Sequence, residues 1–156
     1  MPQIIKFKAK NNYDLGLRLG EFFGAKIINL LRKQDERWPE KVKSSLKYLS
    51  ITEKFFPQFI EELKGYAKAS KVSLEDLWSL GLEEDSLGSI PPKEKCTSII
   101  NNNLVGHTED WFTKNADHLY LIEKQISDLI IVEFFYFYTL GGNAFSINSN
   151  GIIQLT

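Results

Sequence analysis

The spacing of apolar residues changes character at position 96, and no other feature narrows the choice of fold as far. From Tyr13 to about Leu80 apolar side chains recur at helical intervals, whereas after Cys96 they gather into short runs of β-branched and aromatic residues. Such a chain folds as α+β, with its helices grouped in the first half and most of its strands in the second. Residues 4–10 are the exception upstream: Ile5, Phe7 and Ala9 alternate with Lys6, Lys8 and Lys10, a strand with one wet face.

Asn11 or Asn12 is placed to cap a helix opening near Tyr13. Gly16, Gly20 and Gly24 lie four apart in that helix, each weakening it by roughly 1 kcal/mol relative to alanine, so their common face predicts close approach of a second backbone. Trp38-Pro39 permits a new start before the stripe Val42, Leu46 and Leu49. Pro57 suits the first turn of a helix carrying Phe59, Ile60, Leu63, Tyr66 and Ala67. Ser73 and Asp76 resemble a capping box, Asp replacing the usual Glu, ahead of Leu74, Leu77, Trp78 and Leu80. Gly88 to Lys95 then breaks regular structure.

Downstream, His118–Lys124, Asp128–Tyr138 and Ala144–Leu155 read as strand-forming stretches, separated by Gln125-Ile126-Ser127 and Leu140-Gly141-Gly142-Asn143. The run Ile130 to Tyr138 is apolar on both faces, as in a strand covered on both sides. Asn148 and Gly151 read as turn formers.

At 156 residues, 43% hydrophobic and 25% charged, the chain suits one soluble globular domain. A formal net charge of −1 argues against nucleic-acid binding. Neither a signal peptide nor an apolar run long enough to span a membrane is present, and a cytoplasmic location is the simplest expectation.

Cys96 is the sole cysteine, so it has no internal disulfide partner and no companion thiols for a multi-cysteine metal site. A cysteine of this kind is either a small buried hydrophobe or a nucleophile. Thr97 to Ile100, the turn sequence Asn101-Asn102-Asn103, and a second apolar run from Leu104 predict a β-hairpin that returns Asp110 toward the thiol.

Cys96-Thr97-Ser98-Ile99-Ile100, the hairpin, and Gly106-His107-Thr108-Glu109-Asp110-Trp111 together resemble the nucleophile region of the acyl-coenzyme A:isopenicillin N acyltransferase family, within the N-terminal-nucleophile hydrolase superfamily. The likeness extends over roughly residues 13–156, with its specific part between Cys96 and Gly151. Gly106-His107-Thr108-Glu109-Asp110 is closer to the acyltransferase and β-alanyl-amine hydrolase branch than to penicillin V acylases, which carry Gly-Arg-Asn-x-Asp there. An arginine role therefore does not transfer to His107, which is either a structural hydrogen-bonding residue or a substrate contact.

The resemblance implies part of an αββα sandwich, with residues 1–95 as a mainly helical pro-segment and residues 96–156 as the first part of the nucleophile-bearing domain. It implies that the Lys95–Cys96 bond breaks by self-cleavage, so that Cys96 becomes an N-terminus. A thiol with a reference pKa of about 8.5 and an α-amine of about 7.7–8.0 then sit on one residue, which serves as nucleophile and base. Asp110 would hold the amine through a charge-assisted hydrogen bond, and Thr97 and His107 are further substrate-pocket candidates.

No cofactor is implied. No metal is expected either, since His107 and His118 with Glu109 and Asp110 show no recognised ligand spacing and a strand points them to alternate faces. Members of the family are roughly twice this long and supply their oxyanion asparagines later. The chain is therefore expected to be incomplete, with little activity alone, and to need a complementary half or to self-associate. The expected reaction is hydrolysis or transfer of a small N-acyl amide. The alternative is a non-catalytic remnant or binding module.

Overall fold

Residues 4–82, 96–102, 104–109, 113–141 and 144–155 are described in the computed structural model. The chain is mixed α+β, in the order β1 (Ile5–Ala9), α1 (Asn12–Leu31), α2 (Trp38–Phe55), α3 (Pro57–Ser70), α4 (Leu74–Gly81), β2 (Thr97–Asn101), β3 (Leu104–Thr108), a 3-10 turn (Thr113–His118), β4 (Leu119–Ile126), β5 (Leu129–Tyr136), β6 (Phe145–Asn148) and β7 (Ile153–Leu155). Five strands form one sheet in the order β1-β4-β5-β6-β7, and β2 and β3 form a separate hairpin. β1 lies parallel to β4, with Ile5 opposite Ile122 and Ala9 opposite Ile126, and the remaining pairs are antiparallel.

The helical half forms as its end signals dictate. Asn11 caps α1, its side chain accepting from the Asp14 N–H at 2.9 Å. Pro39 and Pro57 occupy first turns of α2 and α3. At α4 the Ser73 hydroxyl accepts from the Asp76 N–H at 3.0 Å. Asp76 is too short for the reciprocal reach of a capping box; its carboxylate accepts instead from the Ser73 hydroxyl at 2.7 Å and from the Trp38 indole at 2.8 Å, tying α4 to α2.

The glycine line on α1 faces α3 at backbone distance. A Cβ on Gly16 would lie 1.8 Å from the Glu62 carbonyl oxygen, and one on Gly65 of α3 would lie 2.1 Å from the Tyr13 carbonyl oxygen. Neither neighbour is a flexible side chain, so nothing larger than glycine fits at this spacing.

This close pair roofs one face of the sheet. Phe7 from β1, Leu15, Leu19, Phe23 and Ile27 from α1, Ile60 and Leu63 from α3, Leu77 from α4, and Ile122, Phe135 and Phe137 make a single core. Segments before and after Cys96 thus share it. Phe23 and Phe137 stack with centroids 5.7 Å apart, and the Tyr66 hydroxyl donates to the Phe137 carbonyl.

The core also encloses charge. Lys124 of β4 reaches Glu133 of β5 at 2.5 Å and Glu62 of α3 at 3.8 Å. All three side chains are buried. Burial lifts the Glu62 carboxyl above its ordinary range; Lys124 opposes that shift and Glu133 adds to it.

The opposite face of the sheet corrects one expectation. Phe135 and Glu133 point into the helical layer at 1% and 2% exposure, but Ile130 and Phe134 on the other side of β5 are 38% and 40% exposed. Among the described residues β5 is therefore covered on one side, and Ile147 and Ile153 continue the open apolar face onto β6 and β7. One boundary also shifts: β4 runs through Ile126 to a tight turn with Ser127 at φ 53°. The stretch 144–155 is a hairpin of β6 and β7, as its turn formers predict. Asn148 and Gly151 form its turn: the Asn148 side chain accepts from the Asn150 and Ile152 N–H groups at 3.0 Å, and Gly151 has φ 80°. No helix among the described residues is long and apolar enough to cross a membrane.

Candidate functional site

The site is built from the β2–β3 hairpin and its register. Thr97 pairs with Thr108, Ser98 with His107 and Asn101 with Leu104, around a turn in which Asn102 has φ 35°. Because side chains alternate along a strand, Ser98 and His107 share one face, which the next positions outward, Cys96 and Glu109, extend. Thr97 and Thr108 lie on the other face, where the Thr108 hydroxyl accepts from the Thr97 N–H at 3.2 Å.

On the first face four side chains converge, and a fifth joins them from the main sheet. The Cys96 thiol donates to Glu109 Oε2 at 3.6 Å. His107 Nε2 lies 3.2 Å from the same oxygen, and Ser98 Oγ lies 3.0 Å from His107 Nδ1. The Tyr136 hydroxyl, at the end of β5, donates to Glu109 Oε1 at 2.9 Å. The imidazole is 4% exposed and the Glu109 side chain 19%, so His107 is withdrawn from water and Glu109 partly so, while Ser98 lies at the surface.

Glu109 is the hub. Burial, and next to it the Glu109 carboxylate, push the Tyr136 phenol far above its ordinary value of 10.0, so it stays protonated as a donor. Tyr136 thereby fixes one carboxylate oxygen and leaves the other facing thiol and imidazole. A thiol beside a carboxylate, with an imidazole oriented by a hydroxyl, is an arrangement in which the sulfur's proton has a ready acceptor.

Of the residues singled out from sequence, Cys96 and His107 are brought together, and Thr97 stands on the opposite face of the hairpin. Lys95 and Asp110 lie outside the described residues, as does the break at Gly88 to Lys95. His118 is not part of the cluster. It packs edge-on against the rings of Phe137 and Tyr138, with centroids at 5.2 and 5.6 Å. Its Nδ1 is buried without a hydrogen-bond partner among the described residues, and burial lowers its pKa below the ordinary 6.5.

Sequence reasoning did not give functional weight to Glu109, Ser98 or Tyr136. The first two carried a signal: with Cys96 at one end of a hairpin of known turn, alternation alone puts residues 98, 107 and 109 on the thiol's face. Tyr136 had none, since its approach depends on how the hairpin docks against the sheet.

No family model matches the chain. A curated relative, the beta-alanyl-dopamine/carcinine hydrolase of Drosophila melanogaster, is 29% identical over 135 residues, an alignment that takes in 74% of this chain and 35% of the relative. The chain spans about a third of the length of that relative.

Proposed function

We propose that the chain carries the nucleophile-bearing part of a self-processing cysteine amidohydrolase or acyltransferase of the N-terminal-nucleophile class, acting on a small N-acyl amide. The observation that carries this reading is the Cys96 thiol directed at the Glu109 carboxylate 3.6 Å away, on a hairpin whose sequence resembles that class. The likeness to a hydrolase named for β-alanyl amides favours that branch of substrates.

In the uncleaved chain Glu109 takes the thiol proton, and the sulfur attacks the Lys95 carbonyl carbon. A carbon–sulfur bond forms, the carbon–nitrogen bond to Cys96 breaks, and the departing amine accepts the proton. Water then opens the thioester, leaving a carboxylate on Lys95 and a thiol on Cys96. The freed amine, held by Asp110, becomes the base in turnover. The thiolate attacks the substrate carbonyl, the amine product leaves with a proton, and the acyl thioester passes to water or to an acceptor. Oxyanion donors and the remaining pocket walls come from a complementary segment or polypeptide, in a cytoplasmic setting that keeps the thiol reduced.

The test is the intact mass of the complete protein. Chain scission between Lys95 and Cys96 is expected without added protease, with Cys96→Ala remaining whole and Glu109→Gln slowed by about 10²-fold or more. Scission in Cys96→Ala overturns self-processing. Matured protein that releases no amine from β-alanyl amides, other N-acyl amides or penicillins turns the reading to a non-catalytic binding module.

A further inference from the structure

We propose that Cys96, His107 and Glu109 form a three-ligand tetrahedral site for a zinc-class divalent cation. The three donor atoms lie within 4.8 Å of one another. With bonds of about 2.3 Å to sulfur, about 2.0–2.1 Å to imidazole nitrogen and about 2.0–2.2 Å to a carboxylate oxygen, tetrahedral angles require edges of about 3.6 Å for sulfur to oxygen and about 3.4 Å for nitrogen to oxygen. The observed edges are 3.6 Å and 3.2 Å. Two of the three edges of the ligand triangle are thus already at coordination length.

The surroundings are those of a ligand set held in place from outside. Ser98 Oγ sits on His107 Nδ1, so a turn of the hydroxyl lets Nδ1–H donate to it while Nε2 presents its lone pair to the ion. Tyr136 occupies Glu109 Oε1 and leaves Oε2 for the metal. Charge also balances. A thiolate, a carboxylate and a neutral imidazole cancel a divalent cation, the thiol proton passing to solvent. Sulfur, nitrogen and oxygen in a tetrahedron favour zinc over magnesium or calcium, and the fourth position remains for water.

This departs from the expectation drawn from ligand spacing, because the His107-x-Glu109 pair acquires its third member only when the hairpin closes on Cys96. The site does not rest on the nucleophile reading. If both hold, the ion captures the sulfur that would attack an amide, and occupancy opposes self-cleavage.

Cobalt titration of the metal-stripped 156-residue chain separates the two. One equivalent of Co²⁺ is expected to give a near-ultraviolet thiolate-to-cobalt charge-transfer band with visible bands of tetrahedral intensity, all removed by Zn²⁺. Cys96→Ser should abolish the charge-transfer band, and His107→Ala and Glu109→Gln should each weaken binding at least about 10-fold. Ser98→Ala and Tyr136→Phe, which leave every proposed ligand in place, should weaken it by roughly 10-fold. Far-UV circular dichroism checks that each variant is folded. Absence of the charge-transfer band in the unaltered chain overturns the proposal. So does a band whose affinity is unchanged in folded His107→Ala and Glu109→Gln, since that is binding to sulfur alone. Neither result bears on whether the Lys95–Cys96 bond breaks.

Discussion

Among the described residues, two clusters hold carboxylates away from bulk water, and they are built for different ends. Glu62, Lys124 and Glu133 lie inside the helix–sheet core, where the ammonium is shared between two acids contributed by α3 and β5. Cys96, His107 and Glu109 sit on a hairpin outside that sheet, gathered around one carboxylate by hydrogen bonds. In the first cluster the single ammonium is committed to two acids, and its loss leaves both carboxylates buried without a cation. In the second, one carboxylate oxygen meets both the thiol and the imidazole, and among the described residues no ammonium is shared. A carboxylate's chemical availability here follows from its partners' charge and from which layer it occupies.

The largest expected effect comes from breaking the core cluster. Lys124→Met should cost about 3–5 kcal/mol, because two carboxylates then remain buried without their cation. For a chain this size that is a fall in Tm of roughly 10 °C or more, read by thermal melting. A loss below about 1 kcal/mol would show that water reaches the cluster and that the two sites are alike.

Glu62→Gln sharpens the same contrast. The Glu62 pKa is raised in the folded chain above its ordinary 4.5, so its contribution is fully present below about 4.5 and is lost as pH rises through the folded value. Glutamine has no such loss and leaves one buried cation facing one buried anion. The variant should therefore gain stability relative to the unaltered chain between pH 4.5 and pH 8, measured by urea unfolding at each pH. Parallel curves would remove Glu62 from the ionic group.

The smallest effect is expected at the thiol. Cys96→Ser should change stability by no more than about 0.5 kcal/mol in chemical denaturation, since the residue lies on a peripheral hairpin. A loss comparable to that of Lys124→Met would make Cys96 a core residue and end its candidacy as a nucleophile.

What was legible in the sequence was local. Asn11 and Ser73 announced their helices, the glycine line announced the α1–α3 contact, and Asn102 announced the hairpin turn. These signals act within a few residues and survive in any context. Pairing of β1 with β4 was not legible, because Lys6 and Glu123, joined at 3.1 Å, are 117 positions apart. Nothing local marked Lys124 and Glu133 as a buried pair, and only the arrival of Glu62 from a helix completes the group that makes their burial tolerable. At the hairpin, alternation was enough to place Glu109 beside Cys96 and His107, but sequence likeness drew attention to Asp110 next to it.

The parallel seating of β1 has a bearing on what any break in the backbone between α4 and β2 would release. Ile5 and Phe7 lie against Ile122 and Lys124, while α1 and α3 cover Phe135 and Phe137. The two pieces would be interlocked, each supplying a strand or a roof that the other lacks. A nick there would separate them on a denaturing gel and leave one particle in native solution, so the covalent state of the chain and its physical integrity are independent quantities in this protein.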